Sequence, residues 1–133
     1  GMREQPATWV DTNGDGASWL FVTSGSGIAG VKIDLDGTTP SMTPEWSGSA
    51  ASTSAVIANN VLYSFGRCSV GSCVIARNPT TGDVLWTSDS LTSPHWQSPI
   101  VVDGTVYAVD GDGNLWAWAL QLTDEILGNG FDP

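Results

Sequence analysis

Three short stretches of this chain hold the side chains whose type and spacing could do chemistry. Asp11-Thr12-Asn13-Gly14-Asp15-Gly16 sets oxygen-bearing side chains at alternate positions and follows them with glycine. That spacing lets hard oxygens converge on one cation, and calcium is the ion it suits. Asp11 and Asp15 would supply carboxylates and Asn13 an amide oxygen. The bidentate Glu that closes an EF-hand would fall at Val22, so an EF-hand is excluded. Asn, Gly and Asp are also the usual residues of a tight hairpin turn, so a metal-free turn is the competing reading.

The second stretch is Cys68-Ser69-Val70-Gly71-Ser72-Cys73, and the third is Ser93-Pro94-His95-Trp96-Gln97-Ser98-Pro99. Two thiols with no histidine beside them make a poor zinc site. At the two ends of a hairpin loop they face one another within disulfide range, so a Cys68–Cys73 disulfide is expected, with a pair of free thiols as the alternative. The bond implies an oxidising location, the periplasm or the cell exterior. His95 is the single histidine. With no acid or nucleophile next to it, it does not make a catalytic set. No Gly-x-Ser-x-Gly, phosphate loop or His-Glu-x-x-His occurs either.

The elements that must position these residues are short strands. Sixteen glycines, seven tryptophans and many Val and Thr in 133 residues, with no helical periodicity, point to an all-β chain. Alternation places strands near 7–11, 18–24, 29–35 and 44–47; then near 53–58, 60–66, 73–78 and 83–87; then near 98–102, 105–110 and 114–120, with a further short one at 125–127. The three sets repeat one unit. Phe21, Tyr63 and Tyr107 stand 42 and 44 residues apart, and Trp46 and Trp86 stand 40 apart. A period of that size is that of a β-propeller blade of four antiparallel strands. The expected blades are therefore 7–47, 53–87 and 98–127, followed by a tail at 128–133. Trp116 and Trp118 share one face of a strand, where packing against a neighbouring blade competes with a stacking platform for a ring-shaped ligand.

The repeat resembles the pyrroloquinoline-quinone-like (PQQ-like) β-propeller blade. Ser98-Pro99-Ile100-Val101-Val102, Val106-Tyr107 and Leu115-Trp116-Ala117-Trp118-Ala119-Leu120 match its first part, and Thr81-Gly82 with Trp86 match its last. The first copy keeps Ile33-Asp34-Leu35-Asp36-Gly37 and Trp46 but has no clear Thr-Gly. The resemblance implies that Trp46 and Trp86 dock between adjacent blades. It also implies that the loop with His95, Trp96 and Gln97 faces the central mouth, where ligands bind in the family. It implies no dehydrogenase here. The family's enzymes stack the quinone under a disulfide between adjacent cysteines, beside calcium and a catalytic aspartate. Cys68 and Cys73 are separated by four residues, and no position matches that aspartate. PQQ is thus not expected, and any catalytic portion would lie in blades outside this chain.

A closed propeller takes four to eight blades. Three blades therefore leave two apolar faces open, to be covered by more of a longer protein or by a second copy in a homodimer. Four basic against fourteen acidic residues give a net charge of −10, which a phosphate backbone would repel, so nucleic acid is not an expected partner. No apolar run is long enough to span a membrane, and no secretory signal is visible. The segment 124–133 is similar to short acidic endings of exported proteins of some Gram-negative bacteria. The expectation is a non-catalytic binding or scaffold module of an exported bacterial protein that holds a protein or a glycan. A fragment of a PQQ-dependent oxidoreductase and a calcium-stabilised adhesion propeller are the alternatives.

Overall fold

A computed structural model describes residues 4–49, 53–95 and 97–119. Trp96, the short strand expected at 125–127 and the tail 128–133 lie outside the described residues. Among those residues the regular structure is entirely β. Four strands, β1 (Ala7–Val10), β2 (Ser18–Ser24), β3 (Gly27–Asp34) and β4 (Ser41–Ser49), form a first antiparallel sheet in chain order. The second sheet repeats the arrangement with β5 (Val56–Ala58), β6 (Val61–Arg67), β7 (Ser72–Arg77) and β8 (Val84–Thr87). The third contains β9 (Ile100–Val102), β10 (Thr105–Val109) and β11 (Leu115–Ala119), again in chain order.

The strands form close to where alternation placed them, although β5 begins at Val56 rather than at 53, and two other differences are instructive. Strand β4 begins at Ser41 rather than at 44 and runs through Pro44. It is an edge strand, and the missing N–H of a proline costs no ladder bond on the open side. Strand β9 begins at Ile100 because Pro99 has no N–H to give to β10. The first hairpins of the second and third sheets both close through two residues with positive φ. These are Asn59 and Asn60 (50° and 60°) in one and Asp103 and Gly104 (47° and 72°) in the other. Such turns match the right-handed twist of the flanking strands, and Asn, Asp and Gly are the residues that tolerate them.

The three sheets stack face to face. One cluster joins Trp19, Phe21 and Ile28 of the first sheet to Leu62 of the second, with Trp46 and Ile57 packed against it. The other joins Tyr63, Phe65, Val74 and Ala76 of the second sheet to Val106 and Ala108 of the third. The second sheet is therefore covered on both sides. This explains why β6 and β7 read as continuous buried runs rather than alternating ones. The first strands lie side by side, β1 against β5 and β5 against β9.

The first two sheets share an irregularity. A bulge falls between Gly30 and Val31 in the pairing of β3 with β4, and between Ala76 and Arg77 in that of β7 with β8. In both cases the residue just before the bulge pairs with a tryptophan, Trp46 or Trp86. The extra residue in each outer strand, Glu45 or Leu85, reverses the alternation, so that the indole is carried to the covered side. The same device at the same register in two sheets is the structural form of the sequence repeat.

Candidate binding site

The segment 88–95, with Gln97 just beyond it, crosses the loop ends of the second and third sheets and carries His95. It is tied down on both. Leu91 is buried and forms an isolated antiparallel bridge with Ser72, its N–H donating to the Ser72 carbonyl at 2.7 Å. The Ser90 hydroxyl donates to the Val70 carbonyl at 2.6 Å. On the other side the Gly111 N–H donates to the Thr92 carbonyl (3.1 Å), and the Thr92 hydroxyl donates to Asp112 (2.8 Å). The strap thus fastens the β6–β7 turn to the β10–β11 turn. Beyond it His95 is exposed, and its backbone N–H donates to the Gln97 side-chain oxygen at 2.6 Å. The structure brings His95 and Gln97 together.

Gln97 also lines a hollow of about 270 Å³ on the outer side of the third sheet, with Ile100, Tyr107, Val109 and Leu115. Open apolar faces are expected of a three-blade piece, but these residues were not among the candidates. The signal was there. In β9 and β10, residues 100, 102, 107 and 109 are apolar on the face opposite the core, a pattern that only a covered sheet needs.

The β10–β11 turn beneath the strap is organised by Asp110, which is almost wholly covered. One carboxylate oxygen accepts from the backbone N–H groups of Asp112 (3.0 Å) and Asn114 (2.9 Å). The other accepts from the Asn114 amide (3.0 Å) and the Trp116 indole (2.9 Å). These donors, the Trp116 indole foremost, hold its carboxyl down at about 2. The Trp116 and Trp118 rings stack 5.9 Å apart on the core side of the sheet, and Trp118 meets Trp86 edge-on at 5.8 Å. They are packing residues rather than an open platform.

The Thr-Gly motif has an equally specific use. Asn78 folds the turn 78–83 by accepting from the Thr80 and Thr81 N–H groups and the Thr80 hydroxyl. Gly82 sits in this turn at φ +78°. The Trp46 ring, from the preceding sheet, lies directly on Gly82, where a β-carbon would come within 2.5 Å of it. The Trp46 indole N–H donates to the Pro79 carbonyl at 2.8 Å. The tryptophan of one sheet is thereby latched to the Thr-Gly turn of the next.

The two candidate calcium carboxylates are engaged differently. Asp15 turns one oxygen to the Ala17 N–H (2.9 Å) and gives the other to Lys32. The Lys32 ammonium and this N–H hold its carboxyl below the usual range. Asp11 instead fills the space over Gly14 and, with Asn13, lines a separate cleft of about 280 Å³. Trp9, Asn60 and the turn 78–80 complete that cleft, and the Trp9 indole donates to the Asn60 side-chain oxygen at 3.2 Å. The loop 11–16 closes as a hairpin turn, with the Asp11 carbonyl accepting from Gly16 at 2.9 Å. Among the described residues no group of three His, Cys, Asp or Glu side chains is gathered as a metal would require.

Cys68 and Cys73 are adjacent and present as thiols. They do not face each other across the ladder, as the loop length suggested. Gly66 stands opposite Cys73, and the Cys68 N–H donates to the Gly71 carbonyl, so the two cysteines sit on a diagonal of the same face. A diagonal still brings side chains into contact. Burial, followed by the hydrogen bond with Cys68, pushes the Cys73 thiol up to about 12. A mild oxidant is expected to join the pair, with a mass loss of about 2 Da. The small closed loop should then raise the melting temperature by about 5–10 °C. The comparison is with Cys68→Ser, in which neither the mass loss nor the rise should occur.

No helix of the described residues is long and apolar enough to cross a membrane. Compared with known proteins, the sequence matches no family model and no curated relative.

Proposed function

We propose that this chain is a non-catalytic binding or scaffold module of an exported bacterial protein, built from PQQ-like β-propeller blades. The observation that carries the reading is the strap. A loop pinned at both sides, with an exposed His95 and a Gln97 at the rim of an apolar hollow, displays side chains without arranging them for proton transfer. The acids nearby are consumed by architecture: Asp110 and Asp112 hold the β10–β11 turn and the strap. The blade reading is supported by the face-to-face stacking, the adjacent first strands, and the bulge that presents a tryptophan to the next sheet in two sheets. The partner class is a protein or a glycan.

Arrays of peptides and glycans probed with the wild-type chain and with a His95→Ala/Gln97→Ala variant test it. Saturable binding that falls at least about tenfold in the variant is the expected result. Dye-linked oxidation of alcohols or sugars by the chain supplied with PQQ and calcium would favour the quinoprotein alternative instead.

A further inference from the structure

The open outer faces of the first and third sheets can be assigned to each other by register. Across the ladders, Phe21 pairs with Ala7, Tyr63 with Val56 and Tyr107 with Ile100, so these three aromatic residues are equivalent. The next equivalent positions on the same face are Thr23, Phe65 and Val109 in the second strands, opposite Ile28, Val74 and Leu115 in the third. In the first two sheets these positions are covered: Phe65 and Val74, packed with Val106 and Ala108 of the third sheet and with Leu91 of the strap, are 0% exposed, and Thr23 and Ile28 are 2%. In the third sheet Val109 is 39% exposed and Leu115 71%. The hollow at Gln97 is this unsealed position.

The seal is equally well defined. Leu62 of the second sheet and Val106 of the third supply the face that covers the preceding sheet, and both are 0% exposed. Their equivalent in the first sheet is Leu20, opposite Val31, and Val22 opposite Ala29 follows on the same face. Among the described residues no sheet covers that face, where Leu20, Val22 and Val31 are half-buried. The described residues therefore hold one unsealed socket and one unused seal of the same repeat, at opposite ends of the stack.

We infer that the third sheet of one copy docks on the first sheet of a second copy, head to tail, through Tyr107, Val109 and Leu115 against Leu20, Val22 and Val31. This names the first partner of the proposed module and rests on the blade reading. None of these six residues is charged, so two copies that each carry −10 can meet there without placing like charges in contact. Two such contacts related by a two-fold axis would close the assembly, whereas one alone would leave it open.

Light scattering of the intact chain at micromolar concentration tests the inference. A particle of twice the chain mass is expected. Leu115→Asp on the socket and Val22→Asp on the seal should each weaken self-association by about a hundredfold. Leu115 is already exposed, so its variant should keep the circular dichroism of the parent, and this check separates lost docking from lost folding. Mixing the two variants should restore part of the dimer, because one unaltered socket then meets one unaltered seal. A monomeric parent, or a dimer that survives both substitutions, would overturn the assignment. A monomer that still binds its array ligand leaves the proposed function standing. A dimer without ligand binding leaves only the docking.

Discussion

Gly82→Ala is expected to cost about 3 kcal/mol, since two penalties fall on one methyl group. At φ +78° an alanine is strained by about 1 kcal/mol or more relative to glycine. Its β-carbon would also enter the Trp46 ring, which cannot retreat without giving up its bond to the Pro79 carbonyl and its packing between the first two sheets. Displacing so large a side chain from a close-packed interface costs about 1–3 kcal/mol more. Urea unfolding of a four-member cycle separates the terms: the parent, Gly82→Ala, Trp46→Ala and the double variant. In the Trp46→Ala background the glycine substitution should cost only the backbone share, about 1 kcal/mol. An undiminished cost there would show that the turn alone sets the glycine requirement and that the latch contributes nothing to it.

The second large effect centres on Asp110. Substituting Asn leaves one of the two acceptor oxygens but turns an NH2 group toward a pair of donors, whichever way the amide is placed. Unmet donors in a covered turn are costly, and the melting temperature of Asp110→Asn is expected to fall by about 5–10 °C at neutral pH. The pH dependence follows from the direction of the shift. The folded carboxyl titrates at about 2, below its ordinary value of 3.8 in the unfolded chain. Its contribution is fully present above 3.8 and is lost as the pH falls through the folded value. The gap in melting temperature between parent and Asp110→Asn should therefore narrow between about pH 4 and pH 2. A gap that stays constant over that range would mean that the carboxylate charge is not what holds the turn.

These two residues also mark where reading the sequence stops. Gly82 was visible as part of a Thr-Gly motif, and Asp110 as the last residue of the strand expected at 105–110. That the glycine makes room for an indole from another sheet was not visible, because Trp46 lies 36 positions earlier and reaches it only after a bulge turns the ring inward. The cysteine pair gives the same lesson at short range. Counting residues places Cys68 opposite Cys73, but the hydrogen bond from Cys68 to Gly71 tightens the loop and sets Gly66 opposite Cys73 instead. The Asp11 loop was legible as turn or calcium site. Lys32, 17 residues away on β3, takes one Asp15 oxygen, a partner that the turn's own residues do not announce.

By itself the sequence determined the all-β class, the position of nearly every strand, the tight turns and the fact of a repeat. These depend on local rules: alternation with period two, and turn residues that accept positive φ. Only the tertiary structure decided which face each strand covers, that Trp116 and Trp118 pack inward, that Trp46 latches onto Gly82, and that one face at each end of the stack stays open among the described residues. Those depend on register and on bulges. A shift of a single residue carries a side chain to the opposite face, and nothing in the local sequence fixes that shift until the neighbouring sheet is in place.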